Sequence, residues 1–352
     1  MNVVINDGAK NDNNRKNGID ILKFIIAFLV ICIHSPFYGE AGKYIVAISR
    51  CAVPVFFMIT GFFYKQTVAK GNENKQIIKV LKLCIFSNLL FLGFEVIMAI
   101  LKKESILNLL QTTFSLKNIF KLIFFNESPL ASHLWYLNAL IYVLVIMKFI
   151  NKYNKYNVLN KIIPLLLLVD LILGKYSMLL LNKEIPHILV RNFLFVGLPY
   201  FGLGNYINMI YNNNCEKYSK PNIQILGISI FIITTIIERF ILINLRCNAT
   251  RDHYISTTFL SIFMFIYFWG YKNNKSIFSS IAKIGREYST NLYIFHPIII
   301  CLLNIIFEAQ IIYNYISPIL VFIATLLACI AYQKITKHIK LLYNKKYHSE
   351  LL

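Results

Sequence analysis

The chain is built from long apolar segments separated by short polar turns. A transmembrane helix needs about 20 mostly apolar residues, and ten segments meet or approach that length, the fourth and eighth being short. They are 19–36, 45–64, 77–101, 134–150, 162–181, 187–210, 222–244, 256–271, 289–307 and 311–333. The pattern predicts an all-α, polytopic membrane protein of about ten transmembrane helices. We expect a cytoplasmic tail at 1–18, one transmembrane domain at 19–335 and a basic cytoplasmic tail at 336–352.

The distribution of Lys and Arg over the connecting segments predicts the orientation. Basic residues accumulate in cytoplasmic loops, and with the N-terminus inside, the inner segments carry about twice as many as the outer ones. Ten helices then return the C-terminus to the same side. The sequence therefore predicts a multi-pass protein of the cell membrane with both ends in the cytoplasm. The longest connection, 102–133, has an apolar patch suited to the membrane interface.

Composition agrees with lipid as the solvent. The chain is 57% hydrophobic and only 15% charged, against about 25% charged in soluble domains. Its formal net charge of +20 would suggest nucleic acid in a soluble protein, but no basic stripe is interleaved with aromatic residues. We expect no nucleic-acid partner, and the lipid bilayer as the chain's surroundings. The seven cysteines are scattered without metal-binding or disulfide spacing, so we expect no metal and no disulfide framework.

The first apolar segment contains two ionisable residues, Lys23 and His34. Their spacing turns a helix through about 1,100°, which places both on nearly one face, about 16 Å apart along the axis. Asp20 lies three residues before Lys23, on a neighbouring face, where it can pair with it. Ionisable groups at membrane depth usually face a bundle interior or a watery cavity. The alternative is that Lys23 reaches to the cytoplasmic interface and that His34 caps the outer helix end before Pro36.

The second apolar segment carries Arg50, Pro54 and Gly61. A proline inside an apolar helix frees a backbone carbonyl, which is tolerated only where protein or water satisfies it. Gly61 allows a neighbouring backbone or a ligand to approach closely. Taken alone, these residues are also explained by a structural kink.

Together, these segments resemble the acyltransferase 3 family of membrane O-acyltransferases. The resemblance runs from about residue 17 to residue 335, and its motifs occur in the family's order. The matching residues are Ile19-Asp20-Ile21-Leu22-Lys23 with His34, Arg50-x-x-Val53-Pro54-x-Phe56-Phe57-x-x-x-Gly61-Phe62, His133-Leu134-Trp135-Tyr136-Leu137, Arg191-Asn192-Phe193 with Gly202-Leu203-Gly204, and Tyr293-Ile294-Phe295-His296-Pro297.

The resemblance implies acyl transfer from cytoplasmic acyl-CoA, the donor substrate, to a hydroxyl of an extracytoplasmic glycan or cell-envelope molecule. Histidine titrates near neutral pH, so we expect His34 to be the general base for that hydroxyl. Lys23 or Arg50 would stabilise negative charge on the thioester oxygen or on the CoA phosphates. No bound cofactor is expected. Five further residues are candidates for binding substrate: Glu95, Trp135, Tyr136, Arg191 and His296.

Each of these five residues has a structural alternative. Trp135 and Tyr136 are suited to stacking on a sugar, but aromatic residues are common at any membrane interface. His296 precedes a proline, and its ring is equally suited to a hydrogen bond that fills the kink. Glu95 needs a partner at mid-span, while Arg191 lies near an outer helix end and is able to pair structurally there. His133 and His253 are expected to be solvated or interfacial.

Departures from the family pattern leave other functions open. The family usually has arginine where this chain has Lys23, and serine where it has Thr60, and lysine lacks the bidentate fork of arginine. These changes resemble the membrane half of serine racemases found with vancomycin resistance, a branch thought to import serine. The alternative function is therefore a transporter of serine or a similar small polar solute. A non-catalytic membrane partner of a separate enzyme is a third possibility. The acceptor, the acyl chain and the oligomeric state are left open by the sequence.

Overall fold

The computed structural model describes residues 17–213, 220–249, 252–271, 276–307 and 310–349, without the side chains of 211–213 and 340–349. Those residues form helices and connecting turns, and no strand occurs among them. The α-helices are α1 (Asn17–His34), α2 (Gly39–Ser49), α3 (Ala52–Ala69), α4 (Glu73–Leu101), α5 (Ile106–Thr113), α6 (Leu116–Phe125), α7 (Trp135–Lys152), α8 (Tyr156–Leu173), α9 (Ser177–Leu181), α10 (Leu198–Asn213), α11 (Pro221–Asn244), α12 (Ile255–Gly270), α13 (Ser276–Phe307) and α14 (Ile311–Ser349).

The long helices confirm the predicted all-α, multi-pass membrane architecture. Within the described residues, nine helical stretches are long and apolar enough to cross a membrane. The eighth predicted segment, 256–271, corresponds to α12, which is apolar but has only 16 residues. Helices suit lipid because they satisfy their backbone hydrogen bonds internally. The N-in, C-in orientation stays a prediction.

The helix boundaries correct the predicted second segment. The chain breaks at Arg50 and Cys51, so that α2 and α3 replace a single helix over 45–64. Pro54 therefore lies in the first turn of α3, where the missing N–H has no intrahelical partner to lose. The break between the two helices, and not a kink at the proline, interrupts this segment.

Two other predicted segments are interrupted, and one is extended. The segment 162–181 becomes α8 and the short α9, separated by a turn at Gly174. The segment 187–210 opens with a 3-10 turn, His187–Leu189, and a π-helical turn, Phe193–Gly197, before α10. The ninth segment, expected at 289–307, extends back to Ser276 in α13.

Internal contacts divide the chain into two compact units, residues 1–46 with 272–352 and residues 47–271. In the first unit, α1 packs mainly against α13 and also against α14. Gly285 on α13 permits this approach, since a Cβ there would lie 1.9 Å from the Asp20 carbonyl oxygen. The domain limits at 18 and 335 stay a prediction, since α1 begins at Asn17 and α14 continues past residue 335.

The second unit is organised around the contact between α3 and α10. A Cβ at Gly61 would lie 1.9 Å from the carbonyl oxygen of Phe201, and one at Gly204 would lie 2.0 Å from that of Met58. The two helices therefore approach each other through a glycine on each side. This arrangement confirms the prediction that Gly61 admits a neighbouring backbone.

Candidate active site

His34 lies beside a second histidine in the first unit. It is the last residue of α1 and is exposed, whereas His296 on α13 is fully buried. The two ring centroids are 5.1 Å apart. His296 Nδ1 is 3.1 Å from the Leu292 carbonyl oxygen. That oxygen can only accept a hydrogen bond, so Nδ1 carries the proton, and in a neutral ring Nε2 is then the acceptor nitrogen.

Lys23 lies in a charged cluster elsewhere on α1. Its Nζ is 3.1 Å from Asp20 Oδ1, and Arg286 Nε is 3.2 Å from the other oxygen of the same carboxylate. Asp20 is buried, while the Lys23 side chain is 16% exposed. The predicted pairing with Asp20 is confirmed, and Arg286 is a member that the sequence did not suggest. Two cations share one carboxylate, so the cluster carries a net positive charge.

Arg50 belongs to a second cluster, in the unit formed by residues 47–271. It forms an ion pair with Asp252, the two side chains being 26% and 21% exposed. Burial alone would raise the pKa of Asp252, but the charges of Arg50 and Arg191 hold this pKa well below its usual range, with contributions from His253 and Lys175. Arg50 is therefore held at the break between α2 and α3 by a loop that precedes α12.

Trp135, Tyr136 and Arg191 come together in the same unit. The Arg191 guanidinium carbon lies 5.5 Å from the centre of the Trp135 ring, a cation–π contact. Tyr136 packs edge-on against Phe57, with ring centroids 4.7 Å apart. Both Trp135 and Tyr136 are buried, so a sugar reaches their faces only if covering side chains move. Sugar stacking on these two rings stays a prediction.

The expectation that His253 and His133 are solvated or interfacial is wrong. Both are buried, at 5% and 4% exposure. His253 Nδ1 lies 2.9 Å from Asp170 Oδ2 at the end of α8. Burial would lower the pKa of His253, but the neighbouring Asp170 carboxylate raises it above the ordinary value. His133 packs against Phe91, with ring centroids 4.9 Å apart. A histidine near a predicted loop is thus not necessarily at the surface.

Glu95 is half-buried on α4. Among the described residues, no hydrogen bond or ion pair to its carboxylate is found. The expected partner at mid-span is therefore not present in the described part of the chain. A role for Glu95 in lining a cavity stays a prediction.

A buried asparagine that the sequence did not single out connects several of these parts. Asn126 has a left-handed backbone conformation, with φ of 55°, at the end of α6. Its Nδ2 donates to the Trp135 carbonyl at 3.4 Å, its Oδ1 accepts from the Phe193 amide at 3.0 Å, and its own carbonyl accepts from Asn138 Nδ2 at 3.1 Å. Asn126 thereby fixes the start of α7 and the backbone two residues beyond Arg191. Asparagine tolerates left-handed conformations, but nothing in the local pattern predicted these partners.

The predicted site residues thus fall into two groups. Lys23, His34 and His296 belong to the first unit, where His34 and His296 are in contact and Lys23 pairs with Asp20. The other group belongs to the second unit. There Arg191 contacts Trp135, which precedes Tyr136, and both Arg191 and Arg50 act on Asp252. Glu95, on α4, makes no contact with this group that the structure describes.

The family model described as an acyltransferase domain, Acyl_transf_3, matches residues 16–333 of 352. The chain belongs to the acyltransferase 3 family. It has the multiple apolar helices of a multi-pass membrane protein. The match contains both groups of predicted site residues.

A curated relative is similar over part of its length. An amino-acid racemase of Enterococcus faecalis is 27% identical to the chain over 227 residues, which are 60% of this chain and 30% of the relative. The chain therefore spans less than a third of that relative. No solved structure matches the chain.

Proposed function

We propose that this acyltransferase moves an acyl group, most simply acetyl, from cytoplasmic acyl-CoA to a hydroxyl of an extracytoplasmic glycan or other envelope molecule. The observation that carries the proposal is the contact between the exposed His34 and the buried His296. A hydroxyl acceptor needs a base that titrates near neutral pH, and imidazole meets that need. His34 is exposed and therefore accessible to a substrate.

His34 is the general base, and His296 is the residue that positions it. The hydrogen bond from His296 Nδ1 to Leu292 fixes which nitrogen of that ring carries its proton. The Nε2 lone pair of His296 then accepts from an N–H of the His34 ring and so orients that ring. In the Ser-His-Asp triad, a carboxylate orients the catalytic histidine in the same way. The structural alternative, a bond that fills the kink before Pro297, describes the same hydrogen bond but leaves the contact with His34 without a role.

The reaction proceeds by nucleophilic attack of the acceptor on the thioester. The acceptor oxygen attacks the carbonyl carbon as its proton passes to His34. The new C–O bond forms, the C–S bond breaks, and the departing CoA thiolate takes the proton from the imidazolium. Proton transfer by a positioned base contributes about 10²–10⁴-fold to such a rate.

The Lys23 cluster supplies positive charge for the donor. Lys23 and Arg286 together exceed the charge of Asp20, so the cluster is suited to the phosphates of CoA. Lysine and arginine are standard ligands of phosphate groups. By the predicted orientation, this part of α1 lies toward the cytoplasm, where the donor is found. Arg50 shares its guanidinium with Asp252, so a role for Arg50 at the thioester requires that this ion pair open.

The test is transfer of radiolabel from acetyl-CoA to glycans by the purified protein in detergent. His34→Ala is expected to reduce transfer by about 10²-fold or more and to leave folding intact. His338→Ala is the matched control, because His338 is exposed on α14, and it is expected to keep wild-type activity. Undiminished transfer by a folded His34→Ala variant would remove His34 from the role of base.

The second candidate function is transport of serine or a similar small solute. It is favoured by the similarity to a relative named as an amino-acid racemase. Proteoliposomes that take up labelled serine and transfer no acyl group would assign the protein to this alternative. Transfer without uptake supports the acyltransferase.

A further inference from the structure

An excess of positive charge gathers at one end of the second unit. Arg50, Lys175 and Arg191 all act on the single carboxylate of Asp252, and we call these four residues the Arg191 cluster. Arg50 takes the direct ion pair. Lys175 Nζ donates to the Ala249 carbonyl at 2.7 Å and lies 4.5 Å from the centre of the Tyr254 ring. Three cations thus stand against one carboxylate.

The neighbouring acidic groups are engaged with partners other than Arg191. Asp170 is engaged with His253. Glu238 accepts hydrogen bonds from the Ile255 and Ser256 amides and the Ser256 hydroxyl at the start of α12. Within the residues that the structure describes, no carboxylate lies within ion-pair distance of the Arg191 guanidinium. Gathering like charges in a partly desolvated place is unfavourable unless an anion balances them.

Arg191 is suited to contact that anion. Its side chain is half-buried and held over the face of Trp135. A contact with the ring quadrupole does not use up the N–H donors of the guanidinium. The planar fork of arginine matches carboxylate and phosphate oxygens. Asn126 holds the backbone on both sides of this contact, at Trp135 and at Phe193, so less conformational entropy is lost when a ligand binds.

The charge is also on the side that the acceptor must approach. By the predicted topology, Arg50, Trp135 and Arg191 lie near the outer ends of transmembrane segments, and Asp252 lies in an outer connecting segment. The structure gathers those segments at one end of the second unit.

We propose that the Arg191 cluster binds a negatively charged group, a carboxylate or a phosphate, of a saccharide acceptor. The inference rests on the proposed function, because that function makes a saccharide the occupant of this side. Arg191 contacts the anion directly, and Arg50 and Lys175 provide the surrounding positive potential. The enzyme therefore selects acidic glycans over neutral glycans of the same length.

The two tryptophans of the chain, Trp135 and Trp269, allow binding to be measured without an acyl donor. In the Trp269→Phe variant, Trp135 is the sole indole, and its fluorescence reports on the cation above its ring. The protein is placed in phosphatidylcholine nanodiscs and titrated with tetragalacturonate, with a tetramer of glycerol phosphate, with neutral cellotetraose and with L-serine. We expect saturable changes with an anionic oligomer and none with cellotetraose.

Arg191→Gln is expected to raise the half-saturation concentration at least about tenfold, as loss of a charge-assisted hydrogen bond does. Arg246→Gln is the matched control. Arg246 is exposed and lies just after the end of α11, and the substitution removes the same charge. It is expected to change binding little. Higher salt should weaken binding of the anionic oligomer, since it screens exposed charges.

The outcomes separate the inference from the function on which it rests. A saturable fluorescence change with tetragalacturonate alone, or with the glycerol phosphate tetramer alone, supports the proposal. It also shows whether the bound group is a carboxylate or a phosphate. Equal responses to cellotetraose and the acidic oligomers, a response to serine alone, or unchanged binding in Arg191→Gln overturns it. If Arg191→Gln fails to fold, the titration of the protein that keeps Arg191 still decides the question, because it compares acidic with neutral oligomers directly. Acyl transfer to a neutral glycan would preserve the function while contradicting the inference.

Discussion

At the scale of single residues, the contact between His34 and His296 is what joins the family assignment to a chemical role. Both histidines were identified from the sequence, His34 by its place in the first segment and His296 by its place before Pro297. Their contact was not predicted, because residues 262 positions apart are brought together only by the packing of α1 against α13. The same holds for Arg286, whose distance of 3.2 Å to Asp20 depends on that packing.

His296→Asn tests the positioning role. The asparagine amide nitrogen replaces Nδ1 and can still donate to Leu292, but the variant has no second ring nitrogen to orient His34. We expect kcat to fall at least about tenfold, with an altered pH profile, while KM for the acyl donor and the melting temperature stay close to wild type. The measurement is steady-state transfer from pH 5.5 to 9. An unchanged kcat and an unchanged pH profile would leave His296 with only a structural role.

His253 makes a prediction about stability and pH. Asp170 raises its pKa, so the stabilisation is fully present below the unfolded value of 6.5 and is lost as pH rises through the folded value. The melting temperature of wild type should therefore be higher than that of His253→Gln. This difference should be largest at pH 6 and smallest at pH 9. The exposed His338→Gln serves as the control, with a difference that does not vary with pH. A difference between wild type and His253→Gln that grows toward pH 9 would contradict the assignment.

At the scale of elements, periodicity predicted the helices far better than their interruptions. A continuous apolar run over 45–64 gives no sign that the chain breaks at Arg50, since the charge that marks the break is satisfied by Asp252, about 200 residues later. A kink was one of the two explanations that the sequence offered for Pro54, whereas the residue occupies a first turn, where proline is tolerated. Gly61 was interpreted correctly, although its partner Gly204 becomes evident only when α3 and α10 are seen together.

Asn126→Ala tests the junction of α6, α7 and the turn that follows Arg191. Loss of its two side-chain hydrogen bonds in a buried place is expected to cost about 1–3 kcal/mol, in addition to the strain of alanine in a left-handed conformation. Asn154→Ala is the matched control, because Asn154 has a similar φ of 51° but is exposed. Thermal unfolding of both variants separates the two contributions. Equal losses of stability would show that the hydrogen bonds of Asn126 contribute nothing measurable.

At the scale of the whole molecule, charged residues from distant parts of the chain gather within each unit. Segments assigned to the outer side by loop charge meet around Asp252, and Asp20, Lys23 and Arg286, assigned to the inner side, meet in the other unit. Loop charge predicts sidedness but not which helices are neighbours, so the membership of the two charged clusters came from the structure. The family assignment and these clusters together lead to one central claim, transfer of an acyl group across the bilayer.

The most direct measurement of that claim uses sealed proteoliposomes with radiolabelled acetyl-CoA enclosed and glycan acceptors outside. Label is expected on the outer acceptor in wild type and in His338→Ala, and is expected to fall to background in His34→Ala. Label that stays inside while wild-type vesicles remain sealed and the protein is folded would contradict transfer across the bilayer.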